Sequence, residues 1–434
     1  MSLLAGASCV ERVLTETDVR ALLRQAFSAL DLTGKRVLVI IPDSTRTAPI
    51  PLLFSSLQEI LGPRTAGLDF LVALGTHPLM GDGELSNLVG CEVRHEHVPG
   101  SRVFNHRWDD PETFAILGTI PRGEVEDISR GRFSLDVPIR VNKAILDYDH
   151  LLVCGPVFPH EVVGFSGGNK YLFPGISAQE LIDVSHWLGA LITSMAVIGA
   201  AETPVREMID RAASFVPVPR HCLAMVMDGA RLRGLCIGTM DEAWRAAAEL
   251  SAQLNVVYVE HTYQRVLSVI PTMYEDIWTG AKGMYKLEPV IADGGEVIIY
   301  APHITEISYT HGRILDEIGY HVRDYFVKQW DQFKGYPWGV LAHATHLRGL
   351  GTYENGREKP RIQVILATGI PRERCQRVGL GYQDPDAIDP ETWAGREDEG
   401  VLLVPQAGER LYRLKSGAED NEGTGGGEHD HSHG

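Results

Sequence analysis

The chain is predicted to be an α/β protein of two α/β domains. Three observations carry that expectation. Short β-branched apolar runs alternate with amphipathic stretches over the whole length. The 434 residues, 44% of them hydrophobic, exceed what one core fills, because single cores seldom grow beyond about 250 to 300 residues. Finally, several of the apolar runs end abruptly in polar clusters.

The runs lie at residues 36–41, 68–74, 151–154, 255–259, 265–270, 296–300 and 361–367. Runs of this length, bounded by Pro and Gly and separated by helical patterns, read as buried strands. Three lead straight into polar groups: Ile41 into Pro42-Asp43-Ser44-Thr45-Arg46, Leu74 into Gly75-Thr76-His77, and Cys154 into Gly155-Pro156 and then His160. Ligands of open α/β sheets gather beyond the carboxyl ends of strands, so the three clusters are expected to converge on one crevice. A helix carrying His186 is expected to begin with a Ser177-x-x-Glu180 capping box and an Ile176–Leu181 hydrophobic staple, placing His186 in its third turn. A domain boundary is expected near 250–262, where the alanine-rich stretch 246–254 gives way to the strand at Asn255.

Composition narrows the function classes. With 57 acidic against 40 basic residues the net charge is −17, which disfavours a general electrostatic grip on nucleic acid or anionic lipid. The six cysteines (9, 91, 154, 222, 236, 375) are scattered without a C-x-x-C pair, as in a reducing compartment. The first residues carry no signal-peptide pattern and no run approaches the roughly 18 apolar residues of a membrane span. The expectation is a soluble, cytoplasmic protein. After about Gly417 the chain is rich in Glu, Gly and Asp and ends in His429-Asp430-His431-Ser432-His433. That composition cannot bury a core, so residues 417–434 are expected to be a disordered tail, and its imidazoles suit a transition metal.

The densest chemistry lies in His160-Glu-Val-Val-Gly-Phe-Ser166-Gly167-Gly168-Asn-Lys170, followed by Asp183-Val-Ser-His186-Trp187. The glycines allow backbone N–H groups to approach an anion, Ser166 adds a donor, and Lys170 adds a charge. The spacing matches neither G-x-x-x-x-G-K-[ST] nor G-x-G-x-x-G. Arg46 suits a substrate carboxylate, which a guanidinium holds through two parallel hydrogen bonds.

These residues, with Asp43-x-x-Arg46 and Gly75-Thr76-His77 in the same order, closely resemble the signature of the nickel-pincer-nucleotide lactate racemase family over most of residues 35–190. The resemblance implies that Lys170 bears a covalent link to the cofactor, a nickel-pincer nucleotide (pyridinium-3,5-bisthiocarboxylic acid mononucleotide with Ni). It further implies that His186 ligates the nickel, that His77 and His160 are the paired acid and base, and that Asp43 accepts from ribose hydroxyls. Ser166, Gly167 and Gly168 would wrap the nucleotide phosphate. Lys282 in Gly280-Ala281-Lys282-Gly283 matches a substrate-reaching lysine, and Trp338 a pocket tryptophan. Where the lactate enzyme has a substrate-touching glutamine this chain has Thr279, preceded by Trp278. The polar segments 303–311 and 336–351, with His343, Thr345 and His346, suggest an acid larger or more hydroxylated than lactate, such as a sugar acid.

The implied activity is racemisation or epimerisation at C2 of a 2-hydroxy acid by proton-coupled hydride transfer, with cofactor-maturation enzymes as partners and neither nucleic acid nor membrane. The implied domains are a cofactor-binding unit at 1–254, to which the chain returns at about 393–416 through residues 401–405, and a smaller unit at 255–392, two α/β domains joined by hinges with the active site in the interdomain cleft. Two other readings use the same residues: a zinc-dependent hydrolase or lyase with His77, His160 and His186 on the metal, and a non-catalytic carrier of the nickel nucleotide.

Overall fold

In the computed structural model, which describes residues 3–8 and 10–415, each of the seven apolar runs forms a strand. The first sheet holds β1 (Ala5–Ser8), β2 (Arg36–Pro42), β3 (Gly67–Ala73), β4 (His97–Val98), β5 (Ser101–Asn105), β6 (His150–Pro156), β7 (Arg220–Asp228) and β8 (Arg231–Gly238). Its order is β1-β8-β7-β6-β2-β3-β5-β4. The five inner strands from β7 to β5 run parallel, and the outer ones are antiparallel. Along β2 successive side chains enter opposite layers, Val37, Val39 and Ile41 one core and Leu38 and Ile40 another. This two-faced burial explains the uninterrupted apolar run. From β2 the chain builds β3 and β5 on one side, then crosses to lay β6 and β7 on the other. The reversal falls between β2 and β6, where an α/β sheet opens a crevice.

The second sheet comprises β9 (Tyr263–Val269), β10 (Ile291–Ala301), β11 (Gln363–Thr368), β12 (Gly381–Tyr382) and β13 (Val401–Val404), in the order β12-β11-β10-β9-β13. All its pairings are parallel. The segment expected to return to the first unit therefore does otherwise: Val401–Val404 is an edge strand of the second sheet, because its apolar side chains find cover in that core. Contact with the first unit is made slightly later. Leu411–Leu414 pairs in parallel with Val256–Val259, Arg410 bridges to Asp228 at 2.6 Å, and the Arg413 guanidinium donates to the Ile198 carbonyl.

Three helices matter to the site: α1 (Gln179–Ile192), α2 (Met240–Asn255) and α3 (Trp338–Arg348). The capping box expected for α1 does not form. Its N-cap is Ala178; Ser177 is fully buried and bridged to Val141, its hydroxyl directed at the Pro174 and Ala178 carbonyls, while Glu180 turns to Arg140 at 2.8 Å. Tertiary pairing outcompeted the local cap. The staple residues Ile176 and Leu181 do share one core. Helix α1 packs on α3, with Asp183 accepting the Gly339 N–H at 2.8 Å and Trp187 stacked on Trp330 at 5.3 Å.

No helix among the described residues is long and apolar enough to cross a membrane. The described cysteines are all free. The disordered tail and its histidines, expected at 417–434, lie outside the described residues.

Candidate functional site

The three strand-end clusters open into one cavity of about 150 Å³ beyond β2, β3 and β6. Asp43, Arg46, His77, His160, Ser166, Gly167, Lys170, His186, Thr279 and Lys282 all line it. Gly168 and Trp338 do not.

Asp43 and Arg46 leave the end of β2, and His77 follows β3. The Asp43 carboxylate meets His77 Nδ1 at 2.5 Å, and its other oxygen accepts from the Thr45 amide and hydroxyl. Burial alone would raise the Asp43 pKa, but the His77 ring and the Arg46 guanidinium outweigh it and hold the carboxyl well below the usual range. With three contacts on its two oxygens, Asp43 is foremost a partner of His77. It fixes the tautomer that keeps His77 Nε2 available. It is not paired with Arg46 at the surface, since the carboxylate is buried and the guanidinium reaches Thr45 Oγ1 at 3.1 Å.

His160 and Lys170 come from the connection after β6. Lys170 is enclosed, and desolvation, reinforced by Arg46, brings its amine down to about 7, so much of it is an uncharged nucleophile near neutrality. The glycine-rich turn is built for packing more than for wrapping an anion. At Gly167 (φ +80°) a Cβ would lie 2.5 Å from Val157, and at Gly168 (φ +58°) it would press on Trp244 of α2. The amides of Ser166, Gly168 and Lys170 bond to Phe158, Cys222 and Gly167. The Ser166 hydroxyl is likewise committed, donating to Pro156 and accepting from the Phe158 amide. The roles expected of Ser166 and Gly168 toward a phosphate are thus corrected: both serve the turn itself.

His186 projects from α1. Its Nδ1 donates to the Ile182 carbonyl at 2.7 Å, which leaves the Nε2 lone pair exposed to the cavity side. Desolvation, aided by Lys170, lowers its pKa to about 4, so the ring is neutral and suited to a metal. Among the described residues no group of three or more His, Cys, Asp or Glu is placed to hold a metal ion. A zinc site built from His77, His160 and His186 therefore lacks its geometry, since such a site wants three or four protein ligands. One neutral imidazole and one nucleophilic amine fit a metal that arrives with most of its own ligands.

The second unit closes the cavity. Lys282 is buried, its Nζ has no hydrogen-bond partner, and it lies 4.4 Å from the Tyr274 ring centroid. Desolvation, then Arg46 and Lys286, drives its pKa far below that of a free lysine. The Thr279 hydroxyl is tied to Asp276 at 2.8 Å. Trp338 is corrected to a packing role at the start of α3, against Trp330 and Phe133, with its Nε1 donating to Lys334. The tryptophan in the wall is Trp278, flanked by His343 and His311 at ring distances of 4.1 and 4.6 Å. Of the polar segments flagged in the sequence, His311, His343 and His346 line the cavity, whereas His303 bonds to Tyr274 and Thr345 to Ala342. Desolvation lowers all three pKa values, to about 4 for His311 and His346. Sequence reading missed Glu161 and Tyr285; adjacency to His160 and to Lys282 was the only signal each offered.

Comparison with known proteins places this arrangement. The model of the lactate racemase N-terminal domain matches residues 6–199, the part that supplies β2, β3, β6 and α1. Lactate racemase from Thermoanaerobacterium thermosaccharolyticum is 24% identical over 275 residues, and that from Lactiplantibacillus plantarum 23% over the same length. Each match covers 62% of this chain and 60% of the relative. A crystal structure of a Thermotoga maritima protein aligns with a TM-score of 0.86 at 33% identity, covering 93% of this chain and 99% of that one. The lactate racemase apoprotein of T. thermosaccharolyticum aligns at 0.66 with 20% identity, covering 89% and 88%, and so shares the fold. Residues 6–199 thus carry the lactate racemase N-terminal domain.

Proposed function

We propose that the protein is an isomerase, a racemase or epimerase that inverts C2 of a 2-hydroxy acid with a nickel-pincer nucleotide as cofactor. The observation that carries this reading is the meeting of two cavity-facing imidazoles, His77 and His160, with Arg46, Lys170 and His186 at the switch point of the sheet. Lys170 would hold the nucleotide covalently through its amine, with Gly167 alongside, and His186 Nε2 would hold its nickel. When bound, the cofactor supplies reversible acceptance of hydride from the α-carbon.

The chain's own side chains do the rest. Arg46 clamps the substrate carboxylate and fixes which face of C2 is presented. One of His77 and His160 takes the hydroxyl proton as the α-hydrogen departs, and the other returns a proton after the opposite face is offered. Their roles exchange with the direction of reaction. Lys282, brought by the second unit, places an unsatisfied amine against the substrate, and closure excludes water from a keto intermediate. The two units, meeting near residue 255, would act as hinged domains in this step.

The substrate we favour is longer or more hydroxylated than lactate, as in a sugar acid. The wall of Trp278, His311 and His343 supports this: it offers an aromatic face and uncharged hydrogen-bonding groups to a chain extending from C2. Loading would require cofactor-maturation enzymes. The test is production of the protein alongside that machinery, mapping of added mass to Lys170, and chiral chromatography of short hydroxy acids and sugar acids. Added mass at Lys170 with inversion of a sugar acid is the expected result; no added mass, or no inversion of any acid by loaded protein, overturns the reading.

A further inference from the structure

His160 Nδ1 has two neighbours that ask opposite things of it. The Val162 amide donates to it at 3.1 Å, which requires a lone pair on Nδ1 and puts the ring proton on Nε2. Glu161 Oε2 sits 3.2 Å from the same nitrogen and can only accept, which requires a proton on Nδ1. In the first state Nε2 is a donor and cannot take a proton. In the second its lone pair is free.

Glu161 is well placed to hold that second state. It lines the cavity, where among the described residues Asp43 is the only other acid, and Asp43 is already committed to His77. The Tyr285 phenol bonds to it. Arg46, Lys170, Lys282 and Lys286 all feel its charge, while burial, then Lys170, Arg46, His186 and Lys286, push the His160 pKa well below its ordinary value. A proton arriving on His160 in this cationic setting needs a nearby anion, and Glu161 is the one beside it.

Resting on the acid–base reading of the site, we propose that Glu161 is the positioning carboxylate of His160, as Asp43 is of His77, and that it selects the tautomer in which His160 Nε2 can accept the substrate's hydroxyl proton. The transferred proton goes to Nε2, and the Nδ1 proton stays on the imidazolium, hydrogen-bonded to Glu161. The two imidazoles thereby acquire matched anionic partners. Reversible exchange of roles asks for that match, since neither ring should hold the proton much more tightly than the other.

The test is Glu161→Gln in cofactor-loaded enzyme, with Glu161→Asp beside it. The amide keeps the size of the side chain and a bond to Tyr285 but removes the charge. The expected kcat falls by about 10- to 100-fold, within the range of a general acid–base contribution, and by unequal factors for the two stereoisomers. The ratio of their kcat/KM values must stay at the equilibrium constant. Glu161→Asp recovers part of the loss. Independently of loading, 15N spectra of histidine-labelled, cofactor-free protein should move His160 toward the Nε2–H tautomer in Glu161→Gln. Equal losses of kcat, or a kcat within twofold of the parent, together with unchanged His160 nitrogen shifts, would overturn the proposal. If loaded parent enzyme inverts no acid, the functional reading fails, and the nitrogen spectra still decide whether Glu161 sets the tautomer.

Discussion

The two walls of the cavity are built on opposite plans. On the first-sheet side three working groups are held by partners before any ligand arrives: His77 by Asp43, His186 by the Ile182 carbonyl, Arg46 by Thr45. On the second-sheet side the buried groups are left wanting, with Lys282 Nζ and His346 Nε2 unsatisfied. A buried polar atom without a partner costs about 1–3 kcal/mol. A ligand that supplies the missing bonds recovers that cost. The first wall is organised to perform chemistry, and the second is organised to be completed by what binds.

Four substitutions sharpen or break this contrast. Lys170→Ala should abolish turnover and leave no added mass on intact-protein measurement, since no other cavity amine adjoins His160 and His186 on the first wall; retained activity would dissolve the distinction. Asp43→Asn should reduce kcat by about 10²-fold or more with little change in KM, because it disturbs the tautomer of His77 and not the clamp. Lys282→Met should do the reverse, raising KM about tenfold or more while making the protein harder to unfold, because replacing an uncompensated buried amine with an apolar side chain relieves desolvation. A thermal melt and a substrate titration check both halves. Trp338→Phe should leave kcat/KM within about twofold, as expected of a packing residue outside the cavity.

The buried amines add a dependence on pH. Burial depresses the folded-state values of Lys170 to about 7 and of Lys286 to about 8, below the ordinary 10.5. The unfolded chain binds more protons through these amines, so stability rises with pH from about 7 to about 9 and is lost as pH falls through the folded values. Above about 9, buried groups such as Cys222 and Tyr171, pushed up by burial, act in the opposite sense. Melting temperature in cofactor-free protein should climb across that window, less steeply in Lys170→Met. A flat profile would mean that the amines remain charged when buried.

Much of this was legible in the sequence for a definite reason. The central strands are covered on both faces, so β2, β3 and β6 announce themselves as apolar runs, and the groups that follow them are placed by chain connectivity alone. Asp43, Arg46, His77, His160 and Lys170 could be located this way. The second wall could not. Whether Trp278 or Trp338 faces the cavity depends on how α3 lies against α1, and that is fixed by distant contacts such as Asp183 with Gly339 and Trp187 with Trp330. The Ser177 cap failed similarly, because burial beside Val141 is invisible in a four-residue motif. Val401–Val404 misled because an apolar tetrapeptide fits the edge of either sheet.

The ribbon formed by Val256–Val259 and Leu411–Leu414 limits how the cavity can admit a ligand. The strand that carries the chain out of the first unit and the strand that carries it back are zipped side by side by main-chain hydrogen bonds. Sliding one past the other would break the whole ladder, whereas twisting both together breaks none of it. Were the second wall to swing, this ribbon would favour something close to one axis, like a door on a single pin. Each opening should return Lys282 and Trp278 to the same station over the first wall.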